Sequence, residues 1–355
     1  MDIQTLNENL QLYRGKRVLI TGHTGFKGVW LTSILNGLGA KVSGYALDPE
    51  TSPSHFDLLK PSIQEIRSDI RDVNSLYKFI DQIEPNLIFH LAAQPLVLES
   101  YSNPFETWDI NLRGTQNLLE YARTRTKQSL VVVTTDKVYS NSTNERIKNE
   151  DSKLGGFDPY SASKAATEIL VDSYRSSYFG EKNGSFVATA RGGNVIGGGD
   201  WSKNRLIVDV IKAWQSGEKL ILRNPNATRP WQHVLDCLYG YLLLGAKSLQ
   251  KDFFYAQAWN FGPISQDELS VSTIVKFMQN KLETLSFESS QSSEVELHET
   301  EKLMISSELS NDKLKWKPRL KPIDSINLTL EWYVNFYKKN IIYTEHQIKE
   351  YFKNG

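Results

Sequence analysis

Thr134-Thr135-Asp136-Lys137 sets two hydroxyls, a carboxyl and an amine side by side, directly after the apolar run Leu130-Val131-Val132-Val133. A carboxyl and an amine held together can move protons in opposite senses, one as general acid and the other as general base. A second pair, Tyr160 and Lys164, is spaced i, i+4, which places a phenol and an ammonium on one helix face. A positive charge beside a phenol favours phenolate, so the spacing predicts a lowered tyrosine pKa and a base for a hydroxyl proton. Each pair taken singly reads more readily as solvated surface charge. A buried strand that runs into Thr-Thr-Asp-Lys is nevertheless poor core design, and such breaches of local rules mark function.

A third group of residues offers binding rather than proton transfer. Gly22-His23-Thr24-Gly25-Phe26-Lys27-Gly28 follows the β-type run Arg17 to Thr21 and precedes the apolar, helix-like Val29 to Leu35. Glycines spaced G-x-x-G-x-x-G at such a junction allow a tight turn, close approach to a pyrophosphate and close packing of helix on strand. Asp48, just past a second strand at 41–47, is the acid placed to meet an adenosine ribose. No arginine stands nearby in the sequence to favour a 2′-phosphate, so NAD is expected rather than NADP. Asp69, ending a third strand at 65–70, reads equally as an adenine contact or as the cap of the next helix. Ala92 and Ala93, at the end of a fourth strand spanning 86–93, are small enough for a cofactor to approach.

The elements that must position these groups alternate. Strands at 130–133 and 185–190, helices at about 104–123 and 160–178, and the four preceding strands describe a parallel doubly wound α/β sheet. Its strand ends are where ligands bind. Asn111 lies inside the 104–123 helix, bonded to backbone or exposed. After Arg191 to Trp201, rich in glycine, come a helix at 205–215 and a strand at 219–222. Arg223, Arg229 and His233 then form a local anion site beside Trp231. The Ser/Glu-rich stretch 283–301 reads as surface strand and loop. A last helix at 324–339 is followed by a polar tail with no assigned part.

The totals exclude several classes. The 355 residues suit two packed lobes, and 41 basic against 41 acidic residues leave no net field for nucleic acid or an anionic membrane. One cysteine, Cys237, rules out an intrachain disulfide and a cysteine-rich metal site, so no metal is expected. The polar N-terminus lacks a signal-peptide core, and no apolar run nears the roughly 20 residues that span a bilayer. A cytoplasmic location is expected.

With these residues assembled, the chain resembles the extended short-chain dehydrogenase/reductase family along most of its length. Within that family it is similar to the nucleotide-sugar dehydratases that act on CDP-glucose. The likeness rests on Gly22 to Leu31, His90 to Val97, Thr135-Asp136-Lys137, Gly193 to Trp201 and Arg223 to Val234. It implies a Rossmann-type NAD-binding domain over 1–190 and a smaller α/β lobe, mainly 191–355, for the nucleotide sugar, with the chain crossing between them. It implies cofactor contacts at Gly22, Thr24, Gly25, Phe26, Gly28, Asp48, Asp69, Ile70, Leu91, Ala92 and Ala93, joined by Tyr160 and Lys164. Substrate contacts are implied at Gln94, Asn194, Arg205, Arg223, Arg229 and His233.

The implied reaction is an internal redox dehydration. Tyr160 beside Lys164 takes a sugar hydroxyl proton, Thr135 holds that oxygen, Lys137 acts as base and Asp136 as acid. Both reacting groups must be uncharged at that moment, which calls for a dry site. The product is a 4-keto-6-deoxy sugar for deoxysugar and polysaccharide synthesis, made by a homodimer or tetramer joined through helices. A 4-epimerase needs only the oxidation half, and a catalytically silent NAD-binding subunit needs none of it. The departures are Leu98 in place of the family's arginine, Gly192 in place of its second alanine, and a short 140–155 loop without tryptophan.

Overall fold

The computed structural model describes residues 8–125, 127–141, 147–181, 183–222, 224–263, 269–289 and 304–353. Its frame follows from one apolar strand. Strand β1 (Arg17–Thr21) leads into helix α1 (Phe26–Gly37), then β2 (Lys41–Ala46), β3 (Gln64–Arg67), α2 (Val73–Ile83) and β4 (Leu87–His90). Next come α3 (Pro104–Trp108), a π turn (Asp109–Arg113), α4 (Gly114–Thr124), β5 (Ser129–Thr135), α5 (Pro159–Tyr178) and β6 (Phe186–Gly192). All residues of β5 are buried. Val131 and Val133 face one hydrophobic cluster while Leu130 and Val132 face another, so both sides of the sheet are covered. A strand buried on both faces needs an unbroken apolar run, which is what 130–133 supplies.

Among the described residues the sheet has seven strands, every pairing parallel, in the order β7-β6-β5-β4-β1-β2-β3. The reversal at β1 and β4 opens a crevice at the C-terminal strand ends, where the glycine loop stands. The doubly wound expectation is met, with three differences. The third strand stops at Arg67, short of Ile70. The helix expected over 104–123 is broken by the π turn, which carries Asn111. The seventh strand, β7 (Ala258–Phe261), was not foreseen.

Before β7 the chain makes α6 (Leu206–Ser216) and α7 (Val234–Leu249). Helix α7 packs on the sheet so closely that a Cβ at Gly245 would stand 2.6 Å from Phe89 Cζ. The segment 234–261 therefore completes the cofactor sheet although it follows residue 191. In the Ser/Glu-rich stretch, Phe287–Ser289 pairs in parallel with Leu220–Leu222, and 290–301 lies outside the described residues.

The polar tail is also an element. Beyond α8 (Pro322–Lys339), α9 (Thr344–Lys353) buries Ile348, Tyr351 and Phe352. Thr344 bonds to His55 Nε2 at 2.7 Å and accepts from Trp332 Nε1 at 2.8 Å, while Tyr351 donates to Asp236 at 2.6 Å. Its alternating charge hides an apolar stripe too short to stand out by periodicity. No described helix is long and apolar enough to cross a membrane.

Gly198 marks where α8 meets the glycine-rich connection: a Cβ there would stand 1.9 Å from Trp332 Cγ. Overpacking of this kind predicts that Gly198→Ala destabilises the protein by about 1–3 kcal/mol, read as a lower urea midpoint at unchanged slope.

Candidate active site

The glycine loop, the ends of β2 to β6 and the segment 192–209 enclose a cavity of about 1410 Å³. Gly22 takes φ +76°, and a Cβ on it would stand 2.7 Å from Ala92 N; one on Gly28 would stand 2.2 Å from Gly22 O. The backbone therefore approaches itself as closely as a diphosphate cradle requires. Gly25 caps α1 without a side-chain bond, so the first-turn N–H groups remain available to an anion. A dinucleotide fits this donor set. Thr24, Phe26, Ile70, Leu91, Ala92 and Ala93 line the same wall.

The acids at the far end of this wall are already engaged. Asp48 lies 3.9 Å from Arg67 Nη1, so an arginine does stand beside it, brought from β3 across the sheet. Arg67 is itself held by Glu65 at 3.1 Å and by the Phe56 ring at 4.7 Å. Asp69 accepts from Arg71 at 2.6 Å, and that guanidinium holds its carboxyl below the usual range. Asp72, not Asp69, caps α2, leaving Asp69 facing the cavity.

The reacting cluster forms where β5 ends. Thr135 Oγ1 donates to Asp136 Oδ1 at 3.0 Å and accepts from Lys137 N at 3.3 Å. Asp136 is buried, and burial raises its pKa against the pull of Lys137, Thr135 and Lys27. Lys137 is only half-buried, so the dry surroundings expected for the pair hold fully at the acid alone.

Tyr160 and Lys164 share one face of α5 as the spacing predicts, but the electrostatics differ from the expectation. Burial pushes Tyr160 up to about 12, with Thr135 and Arg205 offsetting part of the rise and Asp136 adding to it. Lys164 Nζ donates to Val133 O at 3.2 Å rather than to the phenol. Burial pushes its amine down to about 8, with Glu168 opposing.

Two further residues hold this cluster in place: Glu168, which the sequence did not single out, and Asn111, which it left open between bonding to backbone and exposure. Glu168, one turn beyond Lys164, is buried; it accepts from Thr134, from Thr189 at 2.8 Å and from Arg191 at 2.9 Å. Thr134 is thus a bonded anchor of the strand end. Burial raises the Glu168 pKa, but Arg191 and the two hydroxyls outweigh it and leave the carboxyl below its ordinary value. Asn111, buried in the π turn, accepts from Gln94 N at 2.9 Å and donates to Ser163 Oγ at 2.9 Å, tying the β4 exit loop to α5. The i+4 relation to Lys164 was the available signal for Glu168. For Asn111 the structure takes the backbone-bonding alternative, since its amide also donates to Gln94 O.

Of the expected substrate contacts, Asn194, Arg205 and Arg229 line the cavity. Arg205 pairs with Asp200 at 3.2 Å. Gln94 lines it too, but its amide is spent on Leu96 and on Thr107 at 2.8 Å. His233 is displaced from the site altogether. It is fully buried against Trp30, its Nδ1 accepts from Leu235 N to cap α7, and burial pushes its pKa down to about 3. A neutral, buried ring cannot serve an anion site. Arg223 lies outside the described residues. Leu98, where the family's arginine was expected, lines the cavity.

Comparison with known proteins follows this geometry. The family model described as GDP-mannose 4,6 dehydratase matches residues 19–327. A CDP-glucose 4,6-dehydratase of Salmonella typhimurium is 36% identical over 351 residues, 96% of this chain and 97% of its own. The dTDP-D-glucose 4,6-dehydratase of Homo sapiens is 25% identical, covering 92% of this chain and 93% of its own. An epimerase from Methanothermobacter thermautotrophicus superposes with a TM-score of 0.81 at 21% identity, over 99% of both chains. A dTDP-glucose 4,6-dehydratase from Bacillus anthracis in complex with NAD gives 0.74 at 21%, over 92% of this chain and 98% of that one. Both structures share the fold described above.

Removing Glu168 leaves Arg191 as an uncompensated buried charge. Glu168→Ala is expected to cost about 3–5 kcal/mol in urea unfolding, and Glu168→Gln less. Because the folded carboxyl is held below its ordinary value, this contribution is present above the unfolded carboxyl's value of 4.5 and is lost as pH falls below it. The gap between wild type and Glu168→Ala should therefore narrow in acid.

Proposed function

Because the chain belongs to the GDP-mannose 4,6-dehydratase family, we propose that it converts CDP-D-glucose to CDP-4-dehydro-6-deoxy-D-glucose. The reading of CDP and glucose draws on the 36% identity to a CDP-glucose 4,6-dehydratase along nearly the whole of both chains. The observation that carries the reaction type is a buried Asp136 next to Lys137, bonded to Thr135 in the cavity that also receives Tyr160 and Lys164. A 4-epimerase has no task for that acid and amine.

The Gly22–Gly28 loop, Asp48 and Asp69 would hold NAD, which would supply a hydride acceptor at C4 and the same hydride back at C6, with none consumed overall. Tyr160, once ionised, is a strong base for the C4 hydroxyl proton, and Thr135 Oγ1 orients the same oxygen. With C4 a carbonyl, the C5–H bond becomes acidic because the electron pair is delocalised into the new C=O. Lys137 takes that proton while Asp136 gives its own to the C6 hydroxyl, which leaves as water, and Lys137 returns the proton to C5 as C6 is reduced. Burial raises the Asp136 pKa, the direction general-acid work requires.

We read NAD rather than NADP because Arg67 is committed to Glu65 and the Phe56 ring, and because the Asp48 carboxylate beside it would repel a 2′-phosphate. The pyrophosphate belongs on the Gly22–Gly28 loop, and Arg205, Arg229 and Asn194 suit the nucleotide sugar. A second copy of the chain is the partner favoured by Phe105, Ile169 and Tyr178, which expose 84%, 60% and 52% of their surface on α3 and α5. Light scattering should give twice or four times the chain mass, and Phe105→Glu with Ile169→Glu should lower it to one.

Incubation with NAD and a panel of nucleotide glucoses tests the function, assayed by the alkali-induced absorbance of a 4-keto-6-deoxy product. CDP-glucose is expected to turn over fastest; a preference for dTDP- or GDP-sugars would overturn the substrate, and a 4-epimer product the reaction. Lys137→Ala should accumulate NADH with oxidised sugar and release water at least about 100-fold more slowly. Unchanged product formation would remove Lys137 from the mechanism.

A further inference from the structure

Lys27 stands in the first turn of α1, within the loop suited to the dinucleotide, yet its amine runs inward from that loop. Its Nζ lies 3.4 Å from the Tyr241 hydroxyl and 5.6 Å from the centre of that ring. The approach is open because residue 192 has no side chain. A Cβ on Gly192 would stand 2.5 Å from the Tyr241 hydroxyl, 3.0 Å from Cys237 Sγ and 3.3 Å from Lys27 Nζ. One residue on, a Cβ at Gly193 would stand 3.4 Å from Asp136 Oδ2. The departure from the family's alanine at 192 thus coincides with the space that Tyr241 and the Lys27 amine occupy.

We propose that Lys27 is a positioning residue for water elimination, its ammonium stabilising the carboxylate that Asp136 becomes when it gives up its proton. This rests on the reading of Asp136 as the acid. In that step the Asp136 O–H bond breaks, the proton joins the C6 oxygen and the C6–O bond breaks to release water. A carboxylate is left where burial opposes charge. Thr135 donates to it, and the titratable groups facing it are Lys137, Lys27, Tyr160, Cys237 and Tyr241. Burial holds the last three neutral, raising each above its ordinary value.

The choice between the two amines follows from their tasks. Lys137 must be uncharged before it takes the C5 proton, so it cannot hold an anion at the start of the step. Lys27 has no proton to take or give in the reaction. Its charge also bears on Lys164, whose proton affinity it lowers, so one ammonium acts on both halves of the chemistry.

The test is an infrared titration of the NAD-loaded enzyme, without sugar. The carboxylic C=O band that disappears in Asp136→Asn reports the Asp136 midpoint. Lys27→Met removes the charge at similar length and should move that midpoint to higher pH; Lys27→Arg should restore it. In turnover, Lys27→Met should lower kcat about tenfold with KM little changed, again rescued by Arg. An unmoved midpoint in Lys27→Met overturns the proposal even when activity falls, since lysine would then serve packing against Tyr241 alone. Should that variant not fold, Lys27→Gln carries the same comparison. A wild type inert toward every nucleotide hexose would sink the dehydratase reading, while the midpoint would still decide Lys27.

Discussion

The buried carboxylate of Glu168 is the interaction on which the site depends. It hangs from α5, four residues past Lys164, and gathers Thr134 from β5 with Thr189 and Arg191 from β6. Strands β5 and β6 are in register there, Thr134 opposite Arg191 and Thr135 opposite Gly192. One carboxylate therefore sets the height of Tyr160 and Lys164 against the strand end that carries Thr135, Asp136 and Lys137. Such a group does not add stability simply by being paired, because removing two charges from water costs about what their attraction returns. Its value is directional, since only one docking of helix on sheet leaves neither charge unpaired. Tyr139, bonded to both Arg191 and Asn260, extends the same tie to β7.

Around that tie, burial and charge pull the reactive groups in opposite directions. Burial is the larger influence at Asp136, Tyr160 and Lys164, and it disfavours the charged form of each. Lys137, its neighbour in the chain, and Lys27 from α1 then limit how far the acid drifts. The arrangement favours a proton held ready on Asp136 and a lysine at 164 that is easier to discharge than one in water. It is also costly to fold, which is consistent with the close backbone packing invested nearby at Gly22, Gly28 and Gly192.

The C-terminal elements hold the opposite wall. Trp332 on α8 packs on Gly198 and bonds to Thr344, which in turn meets His55 beyond β2. Asp236 at the start of α7 accepts from Tyr351 and from the backbone of Arg319 and Leu320. The end of the chain thereby fixes the glycine-rich segment 197–200 against the cofactor side. His55 and His233 are both neutral core rings in this wall, each pushed down to about 3 by burial.

What the sequence determined by itself was what rests on short-range pattern. The apolar run before Thr134, the glycine spacing after β1 and the four-residue step from Tyr160 to Lys164 each place neighbours in the chain on one element, and those placements hold. Tertiary structure alone decided whatever depends on which strand lies beside which. It put Arg67 next to Asp48, returned 234–261 to the sheet, sent His233 into the core and turned the charged tail into a packed helix. It also reversed the expected effect on Tyr160, because desolvation and a competing carbonyl for Lys164 are properties of the assembled site, not of spacing. At Thr135-Asp136-Lys137 the chemistry was legible in residue type, whereas the carboxylate that holds it and the amine that faces it arrive from α5 and α1, distant in the chain.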